Sequence, residues 1–300
     1  MTHGDEPSGL GAFKFLLENQ SSLHNVELLL VIHNIDGGAR WFRAGTVAEK
    51  HACRAFGWNF NRLPPDFPAG ASDPSALKRL AQLWRLVYPD TTHGLDLHSA
   101  DQPLCPSGIV LDIAGDGSDI QRLADVMPAT GRFRGITELQ MKEGSQTKPV
   151  GTIFGGPGGE AVALEVESDS HESPVGIQIA VRSVMAMLLK LGCLNVEKAV
   201  ETVSTQEVYD VLGAVMVPGP GYRFAHEELL KSFASIERGQ VLMNGPLGPV
   251  RARHSGRLIF APSQLELQPG DELEEACFEL SPPEQRIRTV RLPEAMWTGG

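Results

Sequence analysis

A histidine and a glutamate stand three apart in His3-Gly4-Asp5-Glu6-Pro7, and a second histidine follows far downstream in Asp96-Leu97-His98-Ser99. Two neutral imidazoles and one carboxylate are the usual protein ligands of a hydrolytic zinc site, with a fourth position left for water. Such a metal makes water a nucleophile at neutral pH. The residue types and their order therefore point to a single Zn2+ held by His3, Glu6 and His98.

Context separates this pair from two look-alikes, His24-Asn25-Val26-Glu27 and His93-Gly94-Leu95-Asp96. His24 and Glu27 flank the start of the apolar run Val26-Glu27-Leu28-Leu29-Leu30-Val31-Ile32. That run reads as a buried strand over residues 26–33, on which side chains three apart point to opposite faces. His3 and Glu6 precede Pro7, a favourable first helical residue, and a helical pattern follows. They sit on a turn entering a helix, where both can reach one ion.

The elements that would position these residues alternate in type over the first two hundred residues. A short helix is expected over 10–17, a strong amphipathic helix after Asp73-Pro74, strands over 94–98 and 108–113, a helix over 119–127 and a strand over 161–166. Ser173-Pro174 caps a long helix that Gly192 ends. Strand and helix in alternation imply an α/β sandwich with helices on both faces of a sheet. Beyond about Val200, short segments over 211–217, 240–243, 250–253, 257–260 and 265–267 lie between Gly and Pro clusters, which suggests a small β domain. The expected division is a catalytic domain over 1–200 and a β domain over 201–300. The stretch 37–70 reads as a long functional loop.

Composition narrows the function classes. The chain is 42% hydrophobic and 21% charged, ordinary for a globular protein, and its net charge of −11 has no basic block. Nucleic-acid binding, which needs concentrated Lys and Arg, is not expected. No run is long enough to span a bilayer. Cys53, Cys105, Cys193 and Cys277 are widely spaced, so no thiolate zinc site is suggested. They read as reduced thiols, and a cytoplasmic setting is expected.

Four pieces line up in order: His3-Gly4-Asp5-Glu6, then Arg54 with Asn59-Phe60-Asn61-Arg62, then Asp96-Leu97-His98, then Leu164-Glu165-Val166. This series resembles the succinylglutamate desuccinylase/aspartoacylase family, a branch of the zinc carboxypeptidase-like fold. The family shows a His-Gly-x-Glu turn, an arginine ahead of Asp-x-Asn-Arg, an Asp-x-His strand end and a later strand with a catalytic glutamate. Ser170-His171-Glu172-Ser173-Pro174 before a long helix fits the same pattern. The resemblance covers nearly the whole chain. It implies an α/β/α sandwich with a mixed sheet and an appended C-terminal β domain.

The resemblance also assigns roles. Glu165 is the residue that takes the water's proton and returns it to the leaving amine. A carboxylate in so apolar a strand is costly to bury without a partner or a cleft. Glu167 is a near alternative, expected on the opposite side of the strand. Arg54 matches the cation that meets the oxyanion of amide attack, and Asn61 with Arg62 matches the pair gripping a substrate carboxylate. Asp96 is expected beside the His98 ligand, whereas His33 and His171 read as structural. The implied activity is zinc-dependent deacylation of a small N-acylated amino acid or related carboxylate, by a chain for which a homo-oligomer is an open alternative. Rival readings are a zinc carboxypeptidase acting on short peptides and a non-catalytic small-acid binder.

Two departures from the family accompany this. Asn59 stands where the family has aspartate, which removes a carboxylate anchor for the loop. Only Met1 and Thr2 precede His3, where the family has an apolar strand. The expectation is that this 300-residue form lacks that strand and binds zinc more weakly than a form extended upstream.

Overall fold

The computed structural model describes residues 5–46, 49–50, 52–54, 75–100, 108–114, 117–135, 153–154, 161–171, 173–260 and 277–294. His3, Asn61, Arg62 and Cys105 lie outside them, as do the expected strand over 265–267 and the residues bearing on a missing first strand.

The alternation read from the sequence becomes a mixed sheet with helices on both faces. In chain order the helices are α1 (Ser8–Glu18), α2 (Ile35–Trp41), α3 (Ser75–Leu86), α4 (Gly117–Ala124) and α5 (Pro174–Lys190). The first four strands are β1 (His93–Ala100), β2 (Ile109–Ala114), β3 (Gly131–Arg134) and β4 (Val162–Ser170). A long β5 (Ala199–Val215) follows, then β6 (Arg223–Phe224), β7 (Ala234–Ile236), β8 (Val241–Asn244), β9 (Val250–Arg251), β10 (Gly256–Ile259), β11 (Cys277–Leu280) and β12 (Glu284–Pro293).

Period-two alternation sorts each central strand onto two cores. Leu97 of β1 and Val162, Leu164 and Val166 of β4 pack with α1, α4 and α5. The opposite face of β4 gives Ala163 to a second core with Phe133, Tyr209 and Phe278. On that side α3 contributes Leu80 and Ala81 to a cluster with Tyr88 and Ile153. Helix α5 begins as its sequence requires: Pro174 occupies the first turn and the Ser173 hydroxyl accepts from Gly176 N. It ends at Gly192, whose φ of +70° suits glycine, with Cys193 N donating to Leu188 O.

The main sheet runs β1-β4-β2-β3-β5-β11-β10-β7, with β12 also paired to β5. The expected strand over 211–217 is only the end of the 17-residue β5. Its first half exposes the consecutive residues Val200, Glu201, Thr202 and Val203 and so lacks the alternation of a half-buried strand. Against β5 lie β11 and then β12, both antiparallel and nearly in one register, interrupted around Pro282-Pro283. Proline has no N–H to donate, so a break in the ladder belongs there. The division proposed near residue 200 falls at the start of this ribbon. A separate three-stranded sheet, β6-β8-β9, covers the C-terminal core of Tyr222, Phe224, Leu242 and Met243.

Two expectations are corrected. The apolar run over 26–33 forms no strand; only Leu23 makes an isolated bridge, to Leu194. Its residues are β-formers, but a strand also needs a neighbour to complete its ladder, and none of the described strands pairs with it. Leu28 and Leu29 are exposed there. The stretch read as loop over 37–70 begins inside helix α2 (Ile35–Trp41), which Asn34 caps by accepting from Gly37 N. Among the described residues Cys53, Cys193 and Cys277 are free and buried. No described helix is long and apolar enough to cross a membrane.

Glycine at position 94 lets the site strand meet its neighbours. A Cβ there would lie 2.0 Å from Cδ2 of Phe154, whose ring packs edge-on against Tyr88 at 5.4 Å. Gly94→Ala is expected to lower stability by about 1–3 kcal/mol through overpacking, read as a lower urea midpoint at unchanged slope. An unchanged midpoint would show that the ring yields freely.

Candidate active site

The site is built on the parallel pairing of β1 with β4, in which Asp96 is the partner of Glu165 and His98 of Glu167. Paired residues in a ladder share a face, as do residues two apart on one strand. All four side chains therefore point to the side away from α1 and α5. This corrects the expected position of Glu167, which lies on the same face as Glu165.

His98 is the centre of the cluster. Its Nδ1 lies 2.7 Å from Glu6 Oε2, and its Nε2 lies 3.1 Å from Asp96 Oδ2 and 3.8 Å from Glu165 Oε2. Glu6, Asp96, His98 and Glu165 are all buried. Burial alone would depress the imidazole, but Asp96, Glu6 and Glu165 together outweigh it and hold His98 well above its usual pKa. In this arrangement His98 is an imidazolium between two carboxylates.

Backbone ties hold the ring in place. The His98 carbonyl accepts from Ser8 Oγ at 3.2 Å and from Ser168 Oγ at 2.8 Å, both buried hydroxyls. These bonds join the start of α1, the end of β1 and the end of β4, and so bring Glu6 to His98.

Arg54 donates from one terminal nitrogen to Glu6 Oε1 at 3.0 Å and lies 3.8 Å from Asp5 Oδ1. Its placement follows from α2. The Asn34 side chain that caps this helix also donates to Arg54 O at 3.3 Å. Gly37 lets the helix approach, since a Cβ there would stand 2.7 Å from Cys53 O. Of the residues expected at the site, the structure brings together Glu6, Arg54, His98 and Glu165.

Glu167 is a further member. Burial raises its pKa well above the carboxylate range; Glu6 and Glu165 add to this, and His98 and Arg54 offset it in part. That direction favours the protonated form of Glu167 more than an ordinary carboxylate would show. The i,i+2 spacing from Glu165 is the signal that could have placed it.

The donor set suits a divalent cation. Ligand atoms of Asp96, His98 and Glu165 all lie within 4.8 Å of one another, and Glu6 meets the other imidazole nitrogen. Glu6 Oε2 lies 2.7 Å from His98 Nδ1, across the ring from Asp96 and Glu165 at Nε2.

His33 lies behind the cluster, with Nε2 3.1 Å from the Tyr88 hydroxyl. Burial brings its pKa down to about 4; Asp96 pulls it up and His98 pushes it down. Tyr88 is raised by burial and then by Asp96.

No protein-family model and no curated protein matches the chain. Solved structures do. A succinylglutamate desuccinylase from Vibrio parahaemolyticus superposes with a TM-score of 0.64 at 15% identity, over 93% of this chain and 79% of that one. The product-bound ectoine utilization protein EutE (DoeB) from Ruegeria pomeroyi gives 0.61 at 16%, over 96% and 83%. Murine aminoacylase 3 gives 0.55 at 15%, over 98% and 96%. The chain has the fold of the succinylglutamate desuccinylase and aspartoacylase structures, as the order of its motifs implied.

The His33 shift has a consequence for stability. Below about pH 6.5 the unfolded chain takes up a proton that folded His33 refuses, so its contribution is full above 6.5 and is lost as pH falls towards 4. The loss amounts to at most about 3 kcal/mol. Urea unfolding between pH 7 and 4.5 is expected to show a shallower decline for His33→Gln than for wild type. Parallel declines would mean that His33 titrates normally.

Proposed function

We propose that this protein is a zinc-dependent amidohydrolase that removes the acyl group from an N-acyl amino acid or a similar small carboxylate. The observation that carries the reading is the convergence of Glu6, His98 and Glu165 on one buried face, on a fold shared with deacylases. Glu6 and His98, with His3, would hold the metal. Zinc bound there supplies the Lewis acidity that makes water a nucleophile at neutral pH.

This chain's own residues do the rest. Glu165 takes the water's proton and delivers it to the leaving amine. Asp96 fixes the tautomer and angle of His98. Arg54, which donates to Glu6 Oε1, would meet the negative charge that develops on the acyl oxygen. Asn61 and Arg62 select a substrate with a free carboxylate through a bidentate, charge-assisted contact.

Metal analysis of the purified chain, paired with a panel of N-acyl amino acids, tests the reading. Stoichiometric zinc and amide hydrolysis on the panel are expected. Glu165→Gln should lower kcat by about 100- to 10,000-fold while zinc content stays unchanged; wild-type rates in that variant would remove Glu165 from the chemistry.

The carboxylate contact is tested separately. Arg62→Ala should raise KM with a smaller effect on kcat, and the methyl ester of a good substrate should be turned over poorly. Equal rates on acid and ester would exclude the clamp.

A further inference from the structure

A second polar cluster lies just outside the site and takes no part in the chemistry above. His171, in the turn after β4, places Nδ1 2.8 Å from the Ser99 hydroxyl and Nε2 3.6 Å from Asp5 Oδ2. Asp5 precedes Glu6 in the turn before α1, and Ser99 follows His98 on β1. Both are buried to 1% exposure. One imidazole thus touches the immediate neighbours of two residues assigned to the metal, which come from segments 90 residues or more apart.

The geometry points to His171 as a positioning residue that sets the spacing between Glu6 and His98. The Asp5 carboxylate favours the ring form with its proton on Nε2, so Nδ1 accepts from the Ser99 hydroxyl. An imidazole is flat and has few rotamers, so it fixes the distance between these arms better than a flexible chain would. The His171 amide also donates to Ala100 O at 3.0 Å, which anchors the ring's own backbone to the end of β1. Apart from this imidazole, the turn and the strand end are tied by Ser8 Oγ to His98 O and by the Glu6–His98 contact. The Asp5–His171–Ser99 bridge resists their relative motion at the point where metal spacing is decided.

The inference rests on the metal reading for its consequence, but not for the bridge. Three variants separate its arms. Asn places an amide near the Nδ1 position and keeps the Ser99 arm; Gln places one near Nε2 and keeps the Asp5 arm; Ala keeps neither. Two readouts apply to the full chain: zinc affinity by chelator competition, and hydrogen exchange at the amides of residues 6–10, with a urea midpoint measured alongside. His171→Ala is expected to weaken zinc binding by about 10- to 100-fold and to speed exchange in 6–10 while leaving exchange in α5 unchanged. His171→Gln and His171→Asn should fall between Ala and wild type. If the Ala variant does not fold, the same comparison runs on Gln and Asn against wild type. Wild-type zinc affinity together with wild-type exchange in the variants overturns the inference. If the wild-type chain takes up no zinc, the metal reading fails, and exchange alone decides on the bridge: faster in 6–10 supports it, unchanged rejects it.

Discussion

Everything at the site depends on the register of one parallel ladder. With Asp96 opposite Glu165 and His98 opposite Glu167, four ionisable groups stand on adjacent strands about 5 Å apart in the pairing direction. A slip of one residue in either strand would turn its two ionisable side chains into the apolar core against α1 and α5. The leucines and valines that alternate with them prevent that slip. The hydrophobic half of each strand thus fixes where the charged half must go.

Such crowding has an electrostatic cost that the protein meets locally. Asp5, Glu6, Asp96, Glu165 and Glu167 gather around the His98 and His171 imidazoles and the Arg54 guanidinium. His98 and Glu167 are both raised well above their ordinary values, Glu167 chiefly by burial, and His98 by its carboxylate neighbours against the effect of burial. A cation entering between Glu6 and His98 replaces protons as the neutralising charge. Arg54, paired with Glu6, shows that a positive group is already favoured at that carboxylate.

Much of this could be read from the chain, and the failures have definite causes. The order of the motifs, with the family resemblance it carries, pointed to Glu6, Arg54, His98 and Glu165, and for Glu165 the cost of burying a carboxylate in an apolar strand added a physical reason. The helices α1, α3, α4 and α5 follow their apolar spacing and, for α5, its Ser-Pro start and Gly stop. The strand expected over 26–33 was misread because periodicity reports what a segment could bury, and says nothing of whether a partner edge lies beside it. Glu167 was assigned to the wrong face although the period of two was available. Ser8 and Ser168 leave no local signal as ties, because their hydroxyls bond across 70 or more residues, whereas His171, read as structural, does make a long-range hydrogen bond. Asn61 and Arg62 fall outside the described residues, so the carboxylate contact rests on the motif.

The ribbon of β5 with β11 and β12 crosses from the main sheet to the C-terminal strands without a flexible joint. Strand β3 grips it on one edge at residues 207–210, and β11 grips it at 211–215. A beam fastened in this way transmits torque. The C-terminal strands cannot swing as a lid on a linker, because such a swing would have to shear hydrogen bonds along the beam. A graft or deletion beyond residue 215 would be felt in the twist of the sheet that carries His98.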